Sequence, residues 1–312
     1  MLENTKKIKS LDEIEDLSDE EILEIIGTEL GFEYEIKPDD GWECAWSMRE
    51  WIERGIFGER NKILAFSEDD RIIKLSFSDL DIDALPLAVG GLCALTVLDI
   101  SHTKVSQLPD WVCKLSAIEV LNVYATSVAE LPTSIGNLSA LKELHLGASD
   151  IRQLPDSICK LTNLKILHLN HTAITKLPED LGKCTVLQSM DLHGSEIRKL
   201  PESIGNLAVL KRLRADYMPL EKLPGSIGNL VALKQLWIQQ TNVRKLPKSI
   251  CNLTALLDFR YRPGTEIPEA LSNILAANAD GADEKSKDKR EGRVKDFISI
   301  VVNVSRCGDN DE

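Results

Sequence analysis

The chain has 312 residues, 43% of them hydrophobic, and a formal net charge of −13. No apolar run reaches the ~18 residues that a membrane-spanning helix needs, so the sequence predicts no membrane span. The acidity is confined to residues 1–70, which hold 21 acidic and 8 basic residues, whereas the rest of the chain holds 29 of each. General nucleic-acid binding needs a basic footprint, and this charge balance argues against it.

The N-terminal segment and the cysteines indicate a cytoplasmic protein. Residues 1–21 have neither the apolar stretch of a secretory signal nor the Arg-rich, acid-poor composition of a transit peptide. The seven cysteines are odd in number, widely spread and without a C-x-x-C pair, which argues against a disulfide framework or a zinc knuckle. We therefore expect a cytoplasmic location and no cofactor.

Two helices are predicted near the N-terminus. Ser18 and Glu21 form a capping box that opens a helix over 19–30, before a glycine that ends it. A second helix is expected over 43–54. Three of the five tryptophans lie in or just before this second helix: Trp42, Trp46 and Trp51. We expect them to pack the helix onto the first repeat, with an aromatic docking surface as the alternative.

The next segment, KILAFSEDDRIIKLSF, predicts two strands around an acidic turn. A 23-residue repeat then dominates the chain. The pair Leu-Pro recurs in one frame, with its leucine at 85, 108, 131, 154, 177, 200, 223 and 246. Around each pair the frame is L-x-x-L-x-L-x-x-T-x-I-x-x-L-P-x-x-I-G-N-L.

The physical properties of this frame predict a stacked architecture. L-x-L has a period of two, which predicts a short strand with both leucines inward. Proline then interrupts the chain where no ladder donor is needed, and I-x-x-L predicts a helical or 3-10 turn. Because each repeat offers only half of a core, neighbouring repeats must stack to complete it.

The frame resembles the leucine-rich repeat family, in its typical 23-residue form with an LPxxIGNL segment. It is similar to the repeats of intracellular Ras-group proteins and of plant immune receptors. The resemblance covers residues 72–277, about two thirds of the chain. It implies an α/β solenoid, or horseshoe, with a parallel β-sheet on the concave face and short helical or 3-10 segments on the convex face. A helical cap would cover its N-terminal end.

The chain departs from the family pattern at the ninth position of the frame, where the family usually has Asn. A short hydroxyl can also bond the turn backbone, so we expect the turn to survive. Six repeats carry such a hydroxyl: Thr103, Thr126, Ser149, Thr172, Ser195 and Thr241. Met218 takes this position in one further repeat, beside Pro219, and predicts a distorted turn there.

We divide the chain into three parts. Residues 1–71 form an acidic, helical N-terminal region and cap. Residues 72–277 hold about eight regular repeats and one degenerate repeat, and end in a closing helix. Residues 278–312 form a charged linker and a short apolar tail. The tail either folds back as a strand or binds a partner, and the sequence leaves both open.

The residues between the strand leucines define the predicted binding surface. With the leucines inward, the residue between them and the residue two positions later point into the arc. All five histidines fall on this face, and its C-terminal third carries the Arg, Trp and Tyr side chains that are enriched at binding hot spots. The predicted partner-binding residues are Tyr124, His145, His168, Asp191, His193, Arg212, Arg214, Asp216, Tyr217, Trp237, Gln239, Arg260 and Arg262.

This surface predicts a non-catalytic module or scaffold that binds a protein or peptide partner. An acidic or phosphorylated segment suits the arginine-rich end, because guanidinium groups match carboxylates and phosphates. One alternative is a metal-binding or pH-sensing site built from His145, His168, Asp191 and His193.

A further alternative is a targeting subunit that recruits an enzyme in signalling or immunity. Catalysis by the chain itself is not expected, since it contains no P-loop, kinase signature or G-x-S-x-G motif. The sequence does not name the partner or the oligomeric state.

Overall fold

The computed structural model describes residues 8–38, 62–271 and 299–300. The chain divides into two compact units, Met1–Ile174 (unit 1) and Thr175–Glu312 (unit 2). The helix predicted over 43–54, with its tryptophans, lies outside the described residues, as do most of the closing helix and most of the tail. No helix among the described residues is long and apolar enough to cross a membrane.

Unit 1 opens with a 3-10 helix, Leu11–Ile14, and then helix α1, Asp19–Leu30. The predicted capping box is present: the Glu21 carboxylate accepts the Ser18 N–H at 2.7 Å, and the Ser18 hydroxyl accepts the Glu21 N–H at 3.2 Å. The helix ends at a glycine whose φ of 71° is in the left-handed region. The predicted N-terminal helix is therefore confirmed at both ends.

Asp19 ties this helix to the first repeat. Its carboxylate is buried and accepts the N–H of Ile72 at 2.7 Å, with Arg71 Nε at 3.3 Å. A buried carboxylate needs such partners, because an unpaired charge away from water is costly. The helix thus acts as a cap that is bonded to the strand next to it.

The sheet of unit 1 follows chain order. Its first two strands are parallel, the next pair is antiparallel around a left-handed turn at Asp69 and Asp70, and the remaining strands are parallel. The first strand is not predicted from the sequence. The strands are β1 (Glu33–Pro38), β2 (Lys62–Glu68), β3 (Arg71–Ser76), β4 (Val97–Asp99), β5 (Val120–Asn122), β6 (Glu143–His145) and β7 (Ile166–His168).

Unit 2 continues the same pattern with four parallel strands and one short antiparallel strand. The strands are β8 (Ser189–Asp191), β9 (Arg212–Arg214), β10 (Gln235–Trp237), β11 (Asp258–Arg260) and β12 (Ser299–Ile300). In β12, Ile300 pairs with Phe259 and Ser299 with Arg260. For these two residues of the tail, the structure has the fold-back arrangement.

Each repeat continues from its Leu-Pro pair into a 3-10 helix. The proline carbonyl begins the turn, as where Pro109 O accepts the Val112 N–H at 3.0 Å. The strand leucines and the isoleucines of these helices are almost fully buried. The helices are Leu87–Gly91, Asp110–Lys114, Ile135–Asn137, Asp156–Lys160, Leu181–Lys183, Glu202–Asn206, Gly225–Asn229 and Lys248–Asn252.

The hydroxyl bonds the turn carbonyl in five of the six repeats that carry it. Thr126 Oγ1 donates to Val123 O at 2.9 Å, and Thr172 Oγ1 donates to Leu169 O at 2.7 Å. The residue before the hydroxyl has a left-handed backbone in each repeat, for example with φ 54° at Ala125. Five hydroxyls therefore satisfy a turn carbonyl, whereas Ser195 Oγ donates to Met218 Sδ at 3.9 Å.

The turn at Met218 keeps two backbone features of its neighbours. Tyr217 has φ 53°, and its N–H bonds Gln239 O at 3.0 Å, much as Ala125 N–H bonds Gly147 O at 2.9 Å. Met218 itself is buried. The predicted distortion is present but local: Tyr217 and Met218 form a bend where the neighbouring repeats have a hydrogen-bonded turn, while the left-handed residue and its bond to the next repeat are kept.

Candidate functional site

One face of each sheet carries the side chains that point away from the leucine core, and we call it the strand face. Its central column is the residue between the two core positions of each strand. In unit 1 the register aligns Ser76, Asp99, Asn122, His145 and His168. In unit 2 it aligns Asp191, Arg214, Trp237 and Arg260. The predicted columns therefore exist within each unit.

Several column residues support their own strand. Asp99 accepts the Ser101 N–H at 3.0 Å, Asn122 the Tyr124 N–H at 3.1 Å, and Asp191 the His193 N–H at 3.0 Å. Each side chain thus caps the backbone two residues later. Part of the polarity of this face serves the fold before any ligand is considered.

Asp99 is a fully buried carboxyl in unit 1. Ser76 Oγ donates to it at 3.1 Å, in addition to the Ser101 N–H. Burial raises the pKa of Asp99 above its ordinary value, while these hydrogen bonds and the charge of His145 oppose the rise. The ionised form of Asp99 is therefore energetically unfavourable in the folded protein near neutral pH.

A carboxylate–histidine cluster lies at β6 and β7, with Glu143 and His145 buried and His168 half-buried. His145 Nε2 lies 3.1 Å from Glu143 Oε2, and the Nδ1 atoms of His145 and His168 lie 3.0 Å apart. Because a carboxylate only accepts, Nε2 of His145 donates to Glu143, and one of the two Nδ1 atoms donates to the other. Both ring nitrogens of His145 are thus engaged within the protein.

The geometry gives no support to the metal alternative. Among the residues that the structure describes, no group of three or more His, Cys, Asp or Glu side chains is arranged to hold a metal ion. His145 is buried and bonded at both nitrogens, so it has no lone pair to offer without losing a partner. The pH-sensing alternative stays a prediction.

Asp216 is the centre of a second network, in unit 2. Its side chain is fully buried and lies 3.0 Å from Arg214 Nε, 3.2 Å from His193 Nδ1 and 3.4 Å from Gln239 Nε2. Two hydrogen-bond donors, on Arg214 and Gln239, thus converge on one carboxylate with His193 close by, as a buried charge requires. Asp216 holds these side chains in fixed positions on the strand face.

Trp237 lies between two guanidinium groups. The Arg260 guanidinium carbon is 3.9 Å from the Trp237 ring centre, and that of Arg214 is 5.3 Å away. Trp237 Nε1 donates to Asp258 at 3.0 Å, while Arg260 donates to the same carboxylate through Nε and Nη2, both at 3.1 Å. The tryptophan is therefore held in place by cation–π contacts and a buried carboxylate.

Asp191 completes this arrangement beside Arg214. Arg214 Nη1 lies 3.6 Å from Asp191 Oδ2. Burial raises the pKa of Asp191, while the His193 N–H and the charges of Arg214 and His193 oppose the rise. In unit 2 the carboxylates lie deeper than the arginines that they bind, so guanidinium groups form the outer layer.

The predicted site residues occupy different depths. Arg212 is exposed and its Nε donates to the neutral Gln235 at 2.6 Å, while Arg262 donates to Thr241 O at 3.4 Å. Tyr217 is 46% exposed, edge-to-face with His193 at 5.2 Å. In unit 1, Tyr124 makes a similar contact with His102 at 5.4 Å.

Two residues of these hydrogen-bond networks, Glu143 and Asp258, are not among the predicted partner-binding residues. Each lies two residues before a column residue, so the period of two places it on the same face. The prediction includes Arg212 at this position and omits its equivalents in the other repeats. These omitted carboxylates orient His145, Trp237 and Arg260.

Comparisons with known proteins agree with the repeat. A family model described as a leucine-rich repeat region matches residues 71–152 and 156–220. A search of curated protein sequences found no significant match. A leucine-rich repeat protein of Leptospira interrogans has a similar structure, with 22% identity and a TM-score of 0.63, over 77% of this chain and 62% of that one.

Two further solved structures are similar over the repeats. One is the ectodomain of the membrane receptor kinase GASSHO1/SCHENGEN3 of Arabidopsis thaliana in complex with Casparian strip integrity factor 2. It is 25% identical with a TM-score of 0.53, over 62% of this chain and 23% of that one. The other is a TDR receptor, 28% identical with a TM-score of 0.54, over 65% of this chain and 34% of that one.

The chain therefore spans less than two thirds of each of these proteins, and the likeness concerns the repeats. The 23-residue frame, the parallel strands with 3-10 turns, the family match and the structural neighbours agree with one another. Each unit contains a stretch of solenoid, and the chain is a leucine-rich repeat protein.

Proposed function

We propose that the chain is a non-catalytic interaction module that binds a protein or peptide partner on the strand face of unit 2. The observation that carries the proposal is the Arg–Trp–Arg stack at Trp237, which lies outside the leucine core and is anchored by Asp258. A core has no need of such a stack, and ordered Trp and Arg side chains are typical of binding hot spots.

Preorganisation of the arginines favours binding. Arg214 and Arg260 are already ordered by Asp216 and Asp258, so little side-chain entropy is lost when a partner arrives. Their outward surfaces, together with the exposed Arg212, suit an acidic or phosphorylated segment. The expected partner is therefore anionic where it meets this face.

Other proteins with this fold bind protein partners. Leucine-rich repeat proteins generally form non-enzymatic interaction surfaces, and the Arabidopsis ectodomain was solved in complex with another protein. We extend ligand binding from that protein to this chain only as a proposal. A scaffold that recruits an enzyme in cytoplasmic signalling fits the same surface, and stays a prediction.

Selection from a displayed random peptide library, with the whole chain as bait, tests the proposal. Peptides that bind should lose at least about tenfold in affinity for the double variant Arg212→Ala, Tyr217→Ala, since truncated hot-spot side chains cost this much. The matched control is Lys248→Ala, an exposed basic residue on a 3-10 helix, which should leave affinity unchanged. Equal binding by the unchanged chain, the double variant and the control would show that the binding site lies elsewhere.

A further inference from the structure

The segments that lead from each 3-10 helix into the next strand of unit 2 form an exposed rim. We call residues 185–188, 208–211, 231–234 and 254–257 the entry rim. Backbone bonds of 2.8 Å link its C-terminal ends in register, from Lys211 N to Gln188 O, Lys234 N to Lys211 O and Leu257 N to Lys234 O. The rim is therefore a continuation of the parallel ladder that carries the strand face.

The entry rim exposes large apolar side chains in four consecutive repeats. The exposed fractions are 37% for Val186, 42% for Val209, 56% for Val231 and 48% for Leu257. Single exposed apolar residues need no explanation, but a run of them along one edge marks an interaction site. Among the described residues, every exposed large hydrophobic side chain belongs to unit 2.

The equivalent segments of unit 1 have a different character. At the positions of Val186 and Val209 they carry small or polar residues: Ala94, Ala117, Ala140 and Asn163. Their charges are balanced in part, because Lys142 and Glu119 form an ion pair at 2.7 Å. The repeat frame itself therefore does not require apolar side chains at this edge.

The charge of the entry rim is positive. Its segments read TVLQ, AVLK, VALK and TALL, with two lysines and no acidic residue. Both lysines are exposed, and Lys211 Nζ donates to the neutral Gln188 at 3.0 Å. Arg212 follows directly and is also exposed, so the basic surface continues onto the strand face.

We propose that the partner bound by unit 2 presents an acidic segment interspersed with large apolar side chains, which lies across the entry rim. The apolar groups would cover Val209, Val231 and Leu257, and the carboxylates would face Lys211 and Lys234. Four repeats span three strand spacings, about 14 Å, which matches about four extended residues. This inference rests on the proposed function and specifies the chemistry of the partner.

A protein segment fits the rim better than a membrane surface. Segments that bind anionic membranes electrostatically carry clusters of about four to eight Lys or Arg residues. The rim and the adjacent Arg212 offer three, of which Lys211 and Arg212 lie in one repeat and Lys234 in the next. Apolar side chains in four successive repeats, with basic side chains beside them in two, suit an extended chain that carries both apolar and acidic residues.

The test uses the whole chain and two pools of short fluorescent peptides. One pool combines Asp and Glu with Leu, Val and Phe, and the other combines Asp and Glu with Ser, Gly and Asn. Fluorescence polarisation should show preferential binding of the acidic–apolar pool. The variant Val209→Ser, Leu257→Ser should weaken it about tenfold through loss of apolar contact. Ala140→Ser, the matched change in unit 1, should leave it unchanged.

The contradicting outcomes separate the rim from the strand face. Equal binding of the two pools, or no binding of either, overturns the inference. If the library-selected peptides depend on Arg212 and Tyr217 but not on Val209 and Leu257, the rim proposal fails and the proposed function stands. Rim-dependent binding to phosphatidylserine vesicles without any peptide preference would replace the protein segment by a membrane. Unfolding curves of each variant exclude a folding defect.

Discussion

At the scale of single residues, buried carboxylates organise the candidate site. Asp216 and Asp258 each accept hydrogen bonds from an arginine of their own repeat and from a side chain of a neighbouring repeat, and both lie beneath the arginines that they bind. The conspicuous residues of the sequence, Trp237 and Arg260, therefore depend on a less conspicuous one for their positions.

Replacement of Asp258 tests this dependence. Asp258→Asn keeps the volume but removes the charge that accepts bonds from Trp237 and Arg260. We expect a loss of about 1–3 kcal/mol in the free energy of unfolding, since hydrogen bonds to charged groups contribute this much. Urea denaturation measures the loss. The exposed Asp150→Asn should change stability by less than about 0.5 kcal/mol, and an equal effect of both variants would contradict the assignment.

Asp99 predicts a pH-dependent difference in stability. Burial raises its pKa in the folded state above the ordinary value of 3.8, so the folded protein holds this proton more tightly than the unfolded chain. Its contribution is therefore favourable at low pH and is lost as pH rises through the raised value. Asp99→Asn, which imitates Asn122 in the same column, removes this loss.

The measurement is urea denaturation of the wild type and Asp99→Asn at several pH values. The variant should gain stability relative to the wild type as pH rises from acid to neutral. Asn can keep both bonds, accepting from Ser101 N–H and donating to Ser76, so no bond is lost. A stability difference that is independent of pH, or that changes in the opposite direction, would show that burial does not raise the pKa of Asp99.

At the scale of elements, close packing between successive 3-10 helices restricts certain glycines. A Cβ on Gly182 would collide with the backbone oxygen of Ser203 in the next repeat, whereas one on Gly225 would lie 4.0 Å from Glu202 Oε2. The two glycines occupy similar helices but meet different surroundings. Of these two positions, only 182 requires glycine, because the next repeat leaves no room for a Cβ.

Gly182→Ala should therefore destabilise the protein by about 1–3 kcal/mol, the usual cost of overpacking. Gly225→Ala should be neutral or stabilise by about 0.4–1 kcal/mol, because alanine restricts the unfolded chain. Thermal and urea unfolding of the pair provide the comparison. A similar effect at both positions would mean that helix packing does not set the glycine requirement.

The sequence predicts elements well where the pattern is periodic. The frame yields the strands, the 3-10 turns and the column that contains His145, because side-chain direction follows from period two. It does not reveal β1, which belongs to no repeat. It also does not show that Glu143 and Asp258 orient the site, since distances between side chains depend on packing across repeats.

At the scale of the whole molecule, the two units differ in the surface that they offer. Unit 1 carries short polar groups and a buried Glu143–His145 pair, bonded to the half-buried His168, on its strand face. Unit 2 carries arginines, Trp237 and an exposed apolar entry rim. The repeat supplies the same framework to both, so the specialisation of unit 2 comes from residues that the framework leaves free.

Because the proposed partner is bound through both charged and apolar contacts, its affinity should depend only in part on salt concentration. Raising ionic strength from about 0.1 M to about 1 M shortens the screening length from about 10 Å to about 3 Å. Binding of a selected acidic peptide should weaken several-fold, because Arg212 and the rim lysines are exposed, but should persist through apolar contacts. Titrations at the two salt concentrations measure this. Complete loss would indicate a purely electrostatic surface, and no change would exclude the arginines.

Photo-cross-linking of a library-selected peptide tests the central claim most directly, because it reports location rather than affinity. A photoreactive side chain in place of Gln239, on the strand face of unit 2, should cross-link the peptide. The same group in place of Lys248, on a 3-10 helix, should not. Cross-linking from position 248 but not from 239 would contradict the account and place recognition on the 3-10 side of the repeats.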